Sequence, residues 1–170
     1  MESKASKVIF LDIDGVLTNT DIDGTSFKHL DPSRYKLSEH NLKILGKVLE
    51  QTGAKIVITS NWRKFTGPDP VWHFGGKDYH STLVPFIQMH SKHVIGMLPP
   101  ERHISKCDCL ELWFEDNPWL SKSKGKYVIF EDELSEMYQE NLEYAKHLVL
   151  TDYHYGMTEQ DASKAIALLS

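Results

Sequence analysis

The sequence predicts an α/β fold with a mainly parallel central sheet, and three observations carry that prediction. Val8-Ile9-Phe10-Leu11, Ile56-Val57-Ile58 and Tyr127-Val128-Ile129-Phe130 are apolar without alternation, as strands covered on both faces are. A helical stretch separates the first two runs, and strand, crossover helix and second buried strand default to a right-handed parallel βαβ unit. Each run stops abruptly at polar residues: Asp12 and Asp14, then Thr59, Ser60 and Asn61, then Glu131 and Asp132. In parallel sheets the ligand crevice lies at the carboxyl ends of the strands, so these residues are expected to meet.

In chain order, the first strand ends at Asp12-Ile13-Asp14-Gly15. If the chain stays extended, Asp12 and Asp14 share a side, and Gly15 permits the turn that follows. Adjacent like charges raise one pKa unless a cation neutralises them, and Mg²⁺, a hard ion preferring oxygen, suits the pair. An Asx turn would also explain Asp-Gly, and calcium loops use Asp-x-Asp, although no Glu closes such a loop here. Residues Asn19 to Ser38 are polar, broken by Gly24 and Pro32, and read as a loop of about twenty residues suited to lining a site.

Ser38 is placed to cap a helix running to about Gln51 with Leu42, Leu45, Val48 and Leu49 on one face, and Gly53 ends it. After the second strand, Thr59-Ser60-Asn61 offers hydroxyl and amide donors for phosphate oxygens, or alternatively caps a helix. Phe65 to His80 is a Gly- and Pro-containing loop with Trp72, Phe74 and Tyr79, read either as a substrate-recognition flap or as aromatics folded onto the core. A short helix from Ser81 or Thr82 to about His90 precedes a third strand at Val94–Met97. Ser105 to about Phe114 is an amphipathic helix with Leu110, Trp113 and Phe114 inward, stopped by Asn117-Pro118. Lys106 falls in its first turn, where a cation opposes the helix dipole. Leu148-Val149-Leu150 forms a short last strand, and Thr158 with Asp161 caps a final helix bearing Ala162, Ala165, Ile166 and Leu169.

With 170 residues and 41% hydrophobic content, the chain fits one domain spanning 1–170. No run reaches the roughly 18 apolar residues of a membrane helix, and polar Met1–Lys7 leads directly into a strand, so no membrane partner and a cytoplasmic location are expected. A net charge of −5 gives no general basic face for nucleic acid. Lys122-Ser123-Lys124-Gly125-Lys126 and Arg102 to Lys106 are candidate local basic patches, the first read in preference as a short solvated loop. Cys107 and Cys109 sit too close on a helix for an ordinary disulfide and read as buried or half-buried thiols in preference to metal ligands with His103, since no fourth ligand is apparent.

Strand-Asp-x-Asp-Gly-Val-Leu, strand-Thr-Ser, helix-Lys and strand-Glu-Asp follow in order across residues 8 to 133. They resemble the four motifs of the haloacid dehalogenase-like (HAD) hydrolases. Lys55–Arg63, Tyr127–Glu133 and the Leu-Val-Leu-Thr-Asp-Tyr-His-Tyr-Gly-Met-Thr run from Leu148 resemble more narrowly the HAD domain of Swiss Army knife RNA repair proteins. The resemblance implies a three-layer Rossmann-like HAD fold with minimal or no cap, and a Mg²⁺-dependent phosphomonoester hydrolase. On it, Asp12 is the nucleophile and Asp14 the general acid/base. Thr59, Ser60, Asn61 and Lys106 bind the phosphate, with Arg63 or Arg102 as alternatives to Lys106. Asp12, Asp14 and Asp132 hold the metal, with Glu131 as Asp132's neighbour. Connections too short for a large cap imply an open site for a bulky substrate, such as a nucleic-acid end or a phosphoprotein. The alternatives are a small-metabolite phosphatase and a phosphate- or metal-binding module without turnover.

Overall fold

The computed structural model describes residues 7–18, 37–61, 86–99, 104–133 and 141–170. Its elements are β1 (Lys7–Leu11), α1 (Glu39–Thr52), β2 (Lys55–Ile58), β3 (Val94–Met97), α2 (Lys106–Asp116), β4 (Lys126–Glu131), α3 (Leu142–His147), β5 (Leu148–Leu150) and α4 (Glu159–Leu169). A further helical stretch covers 86–89. The strands form one sheet in the order β3-β2-β1-β4-β5, every neighbouring pair parallel. This is the parallel α/β sheet that the unalternating apolar runs predict, in the Rossmann-like form that the resemblance implies.

Strand periodicity divides the core in two. On one face Ile9 and Leu11 pack with Ile44, Leu45 and Val48 of α1 and Ala162 and Ala165 of α4. On the other, Val8 and Phe10 pack with Leu110, Trp113 and Phe114 of α2 and with Tyr127 and Tyr144. Phe10 meets Trp113 edge-on at a centroid distance of 5.0 Å. Helices on both faces of β1 leave its apolar residues no solvent exposure, which is why the strand sequence has no polar face to show.

The caps are where the sequence puts them. Ser38 accepts from the Asn41 N–H, and the Gly53 N–H closes α1 on the Leu49 carbonyl. Ser105 with Asp108, and Thr158 with Asp161, form reciprocal capping boxes at α2 and α4. Two elements differ from expectation. α2 continues to Asp116, capped by Asn117. α3 has no counterpart in the sequence reading, because six residues show no helical period; Asn141 starts it by accepting from the Glu143 and Tyr144 N–H groups. The predicted flap at 65–80, the start of the helix at Ser81 or Thr82, Arg63, Arg102 and nearly all of the 19–38 loop lie outside the described residues, so the cap expectation does too. No described helix is long and apolar enough to cross a membrane.

The chain steps outward from β1 to β2 and β3, then returns to place β4 on the other side of β1. In open parallel sheets ligands bind at the carboxyl ends of the strands that flank such a reversal, here β1 and β4.

Candidate active site

Register decides which side chains meet. Leu11 is paired with Ile58 on one side and Phe130 on the other, so the next residues, Asp12, Thr59 and Glu131, emerge side by side. The Asp12 N–H donates to the Phe130 carbonyl at 3.1 Å and the Thr59 N–H to the Leu11 carbonyl at 2.8 Å, fixing the three backbones beyond the last strand residues.

Carboxylate oxygens of Asp12, Glu131 and Asp132 lie within 4.8 Å of one another. Lys106, the first residue of α2, reaches into this cluster from the opposite layer, with Nζ 2.6 Å from Asp12 Oδ2 and 2.5 Å from Glu131 Oε2. The three side chains are 15%, 8% and 3% exposed for Lys106, Asp12 and Glu131. A lysine in a helix's first turn opposes the dipole, and here two buried carboxylates offset that cost. The Ser105–Asp108 capping box fixes the turn from which the lysine extends.

Burial alone would push both acids up. At Asp12 the Lys106 charge, hydrogen bonds from Glu131 and Lys106, and the Ile13 N–H outweigh burial, and its pKa falls below the ordinary carboxylate value. At Glu131 burial and the adjacent Asp12 charge prevail over Lys106 and raise the pKa to about 9. Asp132 is raised by burial and then by Asp12. Burial with Asp12 and Glu131 against it also leaves Lys106 above its ordinary value, because the two carboxylates outweigh desolvation. Three carboxyl groups therefore share one lysine, with Asp12 favoured as the ionised one and a proton favoured on Glu131, and the oxygens that converge are all carboxylate oxygens. That donor set fits a hard divalent cation.

Gly15 joins the two acidic motifs. Its φ is +63°, and a Cβ there would collide with the Asp132 side chain, so the bare Cα makes room for the second motif's carboxylate. The loop is braced from the far end of the chain. Thr151 Oγ1 donates to the Gly15 carbonyl at 2.7 Å, and the Thr151 N–H to the Glu131 carbonyl at 2.8 Å. The Met157 N–H donates to the Val16 carbonyl, which also accepts from Asn41 Nδ2 at 3.2 Å. Within the loop, Thr18 Oγ1 accepts from the Gly15 N–H.

Asp12, Glu131, Asp132 and Lys106 thus converge, and Thr59 and Ser60, both fully buried, flank them at the end of β2. Asn61 follows on the surface. Asp14 is not one of the three residues whose oxygens all lie within 4.8 Å of one another. The chain turns directly after Ile13, whose carbonyl accepts from the Val16, Leu17 and Thr18 N–H groups. Glu131, read from sequence as a neighbour behind Asp132, contributes its own oxygen to the cluster. The bracing residues Asn41, Thr151 and Gly156 carry no sequence signal of their own; the run from Leu148 belongs to the resemblance, and the structure supplies the reason. Cys107 and Cys109 are free thiols, Cys109 buried and set against the Pro99 carbonyl.

The family described as the HAD domain in Swiss Army Knife RNA repair proteins matches residues 8–162, from the first core strand into the last helix. No curated protein and no solved structure matches the chain.

Proposed function

The chain belongs to the family of HAD domains in Swiss Army Knife RNA repair proteins, and from that premise we propose that it hydrolyses phosphomonoesters with Mg²⁺, through a phosphoryl group carried on Asp12. The observation that supports the reading best is the buried lysine bridging Asp12 and Glu131 beside Asp132.

A Mg²⁺ ion held by Asp12 and Asp132, with Glu131 beside them, would supply positive charge against the phosphate oxygens. Everything else falls to side chains. Lys106 neutralises Asp12 enough for a phosphate dianion to approach, while the Ile13 N–H holds Asp12 Oδ1 at 2.7 Å and so orients the carboxylate. Asp12 attacks phosphorus, forming a P–O bond to its carboxylate as the bond to the alcohol oxygen breaks. Asp14 gives its proton to the departing alcohol, then takes one from the water that releases Asp12. Thr59, Ser60 and Asn61 at the end of β2 hold the phosphate oxygens. An RNA-repair family favours a bulky substrate, a nucleic-acid end, over a small metabolite.

The test is hydrolysis of an aryl phosphate with and without Mg²⁺, by the natural chain and by Asp12→Asn. Turnover that needs both Mg²⁺ and Asp12 supports the reading. Turnover that persists in Asp12→Asn refutes the nucleophile, and no turnover of any phosphomonoester leaves a binding module.

A further inference from the structure

We propose that Thr151 is a positioning residue of the cation site, its hydroxyl holding the two acidic motifs at the separation that Mg²⁺ requires and the larger Ca²⁺ does not. The inference rests on the Mg²⁺-dependent reading above and adds to it a residue that selects the ion without touching it.

Beyond the register pair Leu11 and Phe130, the Asp12 N–H still donates to the Phe130 carbonyl at 3.1 Å, and then the first motif turns, its Val16, Leu17 and Thr18 N–H groups closing on the Ile13 carbonyl. Past that point Thr151 joins the two backbones. Its N–H donates to the Glu131 carbonyl at 2.8 Å, continuing the β4–β5 pairing beyond Glu131 and Leu150, and its hydroxyl donates to the Gly15 carbonyl at 2.7 Å. The same hydroxyl lies 3.4 Å from the Glu131 carbonyl; with one proton to give, the shorter bond takes it.

The grip falls where spacing counts. A Cβ on Gly15 would collide with the Asp132 carboxylate, so tying the Gly15 peptide to the end of β5 sets how closely the first motif lies against that carboxylate. Asp12, Glu131 and Asp132 keep their oxygens within 4.8 Å of one another beside it. Lys106 also bridges the motifs, through the Asp12 and Glu131 side chains, but an ammonium on a flexible stem follows carboxylates that move. Thr151 is short, 4% exposed, stiff at χ1 and held to the sheet by its own N–H. It acts as a strut of fixed length. Farther along the loop, the Val16 carbonyl is held by the Met157 N–H at 2.9 Å and by Asn41 Nδ2 at 3.2 Å. Mg²⁺ demands near-ideal octahedral geometry at about 2.0–2.1 Å, whereas Ca²⁺ accepts flexible geometry at about 2.3–2.6 Å. Loosening the strut therefore costs Mg²⁺ more than Ca²⁺.

Calorimetric titration of Mg²⁺ and of Ca²⁺ into the full chain, Thr151→Val and Thr151→Ser reads the effect. Valine keeps the shape and removes the hydroxyl: Mg²⁺ affinity is expected to fall on the order of tenfold and Ca²⁺ affinity by clearly less, so the ratio of the two drops. Serine keeps the hydroxyl and is expected to keep the natural ratio. Thr158→Ala removes the cap of α4, loosens the fold away from the strut and should leave the ratio alone. If Thr151→Val does not fold by circular dichroism, Thr151→Ala takes its place, with the same drop expected, since a water in the vacated space can satisfy the Gly15 carbonyl without tying it to β5. Equal losses for the two ions, an unchanged ratio, a loss in Thr151→Ser that matches valine, or an equal drop in Thr158→Ala would each overturn the proposal. Turnover of an aryl phosphate separates this inference from the function it rests on. A ratio that depends on the hydroxyl, in a chain that hydrolyses no phosphomonoester, keeps the strut and removes the phosphatase. Mg²⁺-dependent turnover in a chain whose ratio ignores the hydroxyl does the reverse, and a natural chain that binds neither ion overturns both.

Discussion

The same sheet carries like charges at both of its ends, and the two ends treat them differently. At the amino end Lys7 pairs in register with Lys126, and Lys55 lies beside Val8. These lysines reach outward: Lys55 Nζ bonds the Lys92 carbonyl at 2.7 Å, and Lys126 Nζ bonds the Ser170 carbonyl. At the carboxyl end Asp12, Glu131 and Asp132 converge instead, buried, around one lysine. Charge at a strand end is cheap when water takes it up and costly when the fold gathers and buries it. Only the second arrangement leaves a deficit that a ligand can fill, and substitutions at the two ends should diverge accordingly.

The largest divergence is expected in turnover. Asp12→Asn should lower kcat on an aryl phosphate by roughly a thousandfold or more with the far-ultraviolet circular dichroism unchanged, whereas Lys126→Met should leave activity as it is. Lys106→Met should follow, losing about a hundredfold or more in kcat. It leaves the buried Asp12 carboxylate without its cation, so metal-free stability in urea should drop by about 3–5 kcal/mol. Lys126→Met should stay within about 0.5 kcal/mol. A Lys106→Met chain as stable as the natural one would erase the contrast between the ends. Gly15→Ala comes next: with φ at +63° and the Asp132 side chain over it, thermal unfolding should show a loss of roughly 1–3 kcal/mol.

The smallest effect is a pH dependence. Folded Glu131 keeps, up to about 9, a proton that the unfolded chain releases near its ordinary 4.5. The folded state then binds more protons than the unfolded one, so stability of the metal-free chain should fall as pH rises across that window. Glu131→Gln should flatten this slope in melting curves. A slope that survives the substitution would assign it to other groups.

Much of this contrast is legible in the sequence, because buried parallel strands must be apolar throughout and therefore advertise the polar residues at which they stop. Asp12, Thr59 and Asp132 are found that way, and Lys106 by its conflict with the helix dipole. The sequence does not carry the turn onto the Ile13 carbonyl, since Asp-x-Asp reads alike whether extended or turned. Nor does it give the place of Glu131, set by the register between β1 and β4, or the brace from Thr151, Gly156 and Asn41. Several of those contacts join residues more than a hundred positions apart, Thr151 with Gly15 and Asn41 with Tyr155 among them, and they use side chains that also occur in any loop. α3 escapes because its six residues are fewer than two turns of periodicity.

Calorimetric titration of Mg²⁺ into the full chain tests the convergence of the two strands' acids most directly, with Asp132→Asn as the comparison. A single saturable site in the natural chain, weakened by on the order of tenfold or more when that carboxylate is neutralised, is the predicted result. Affinity unchanged by the substitution, or no saturable site at all, would contradict it.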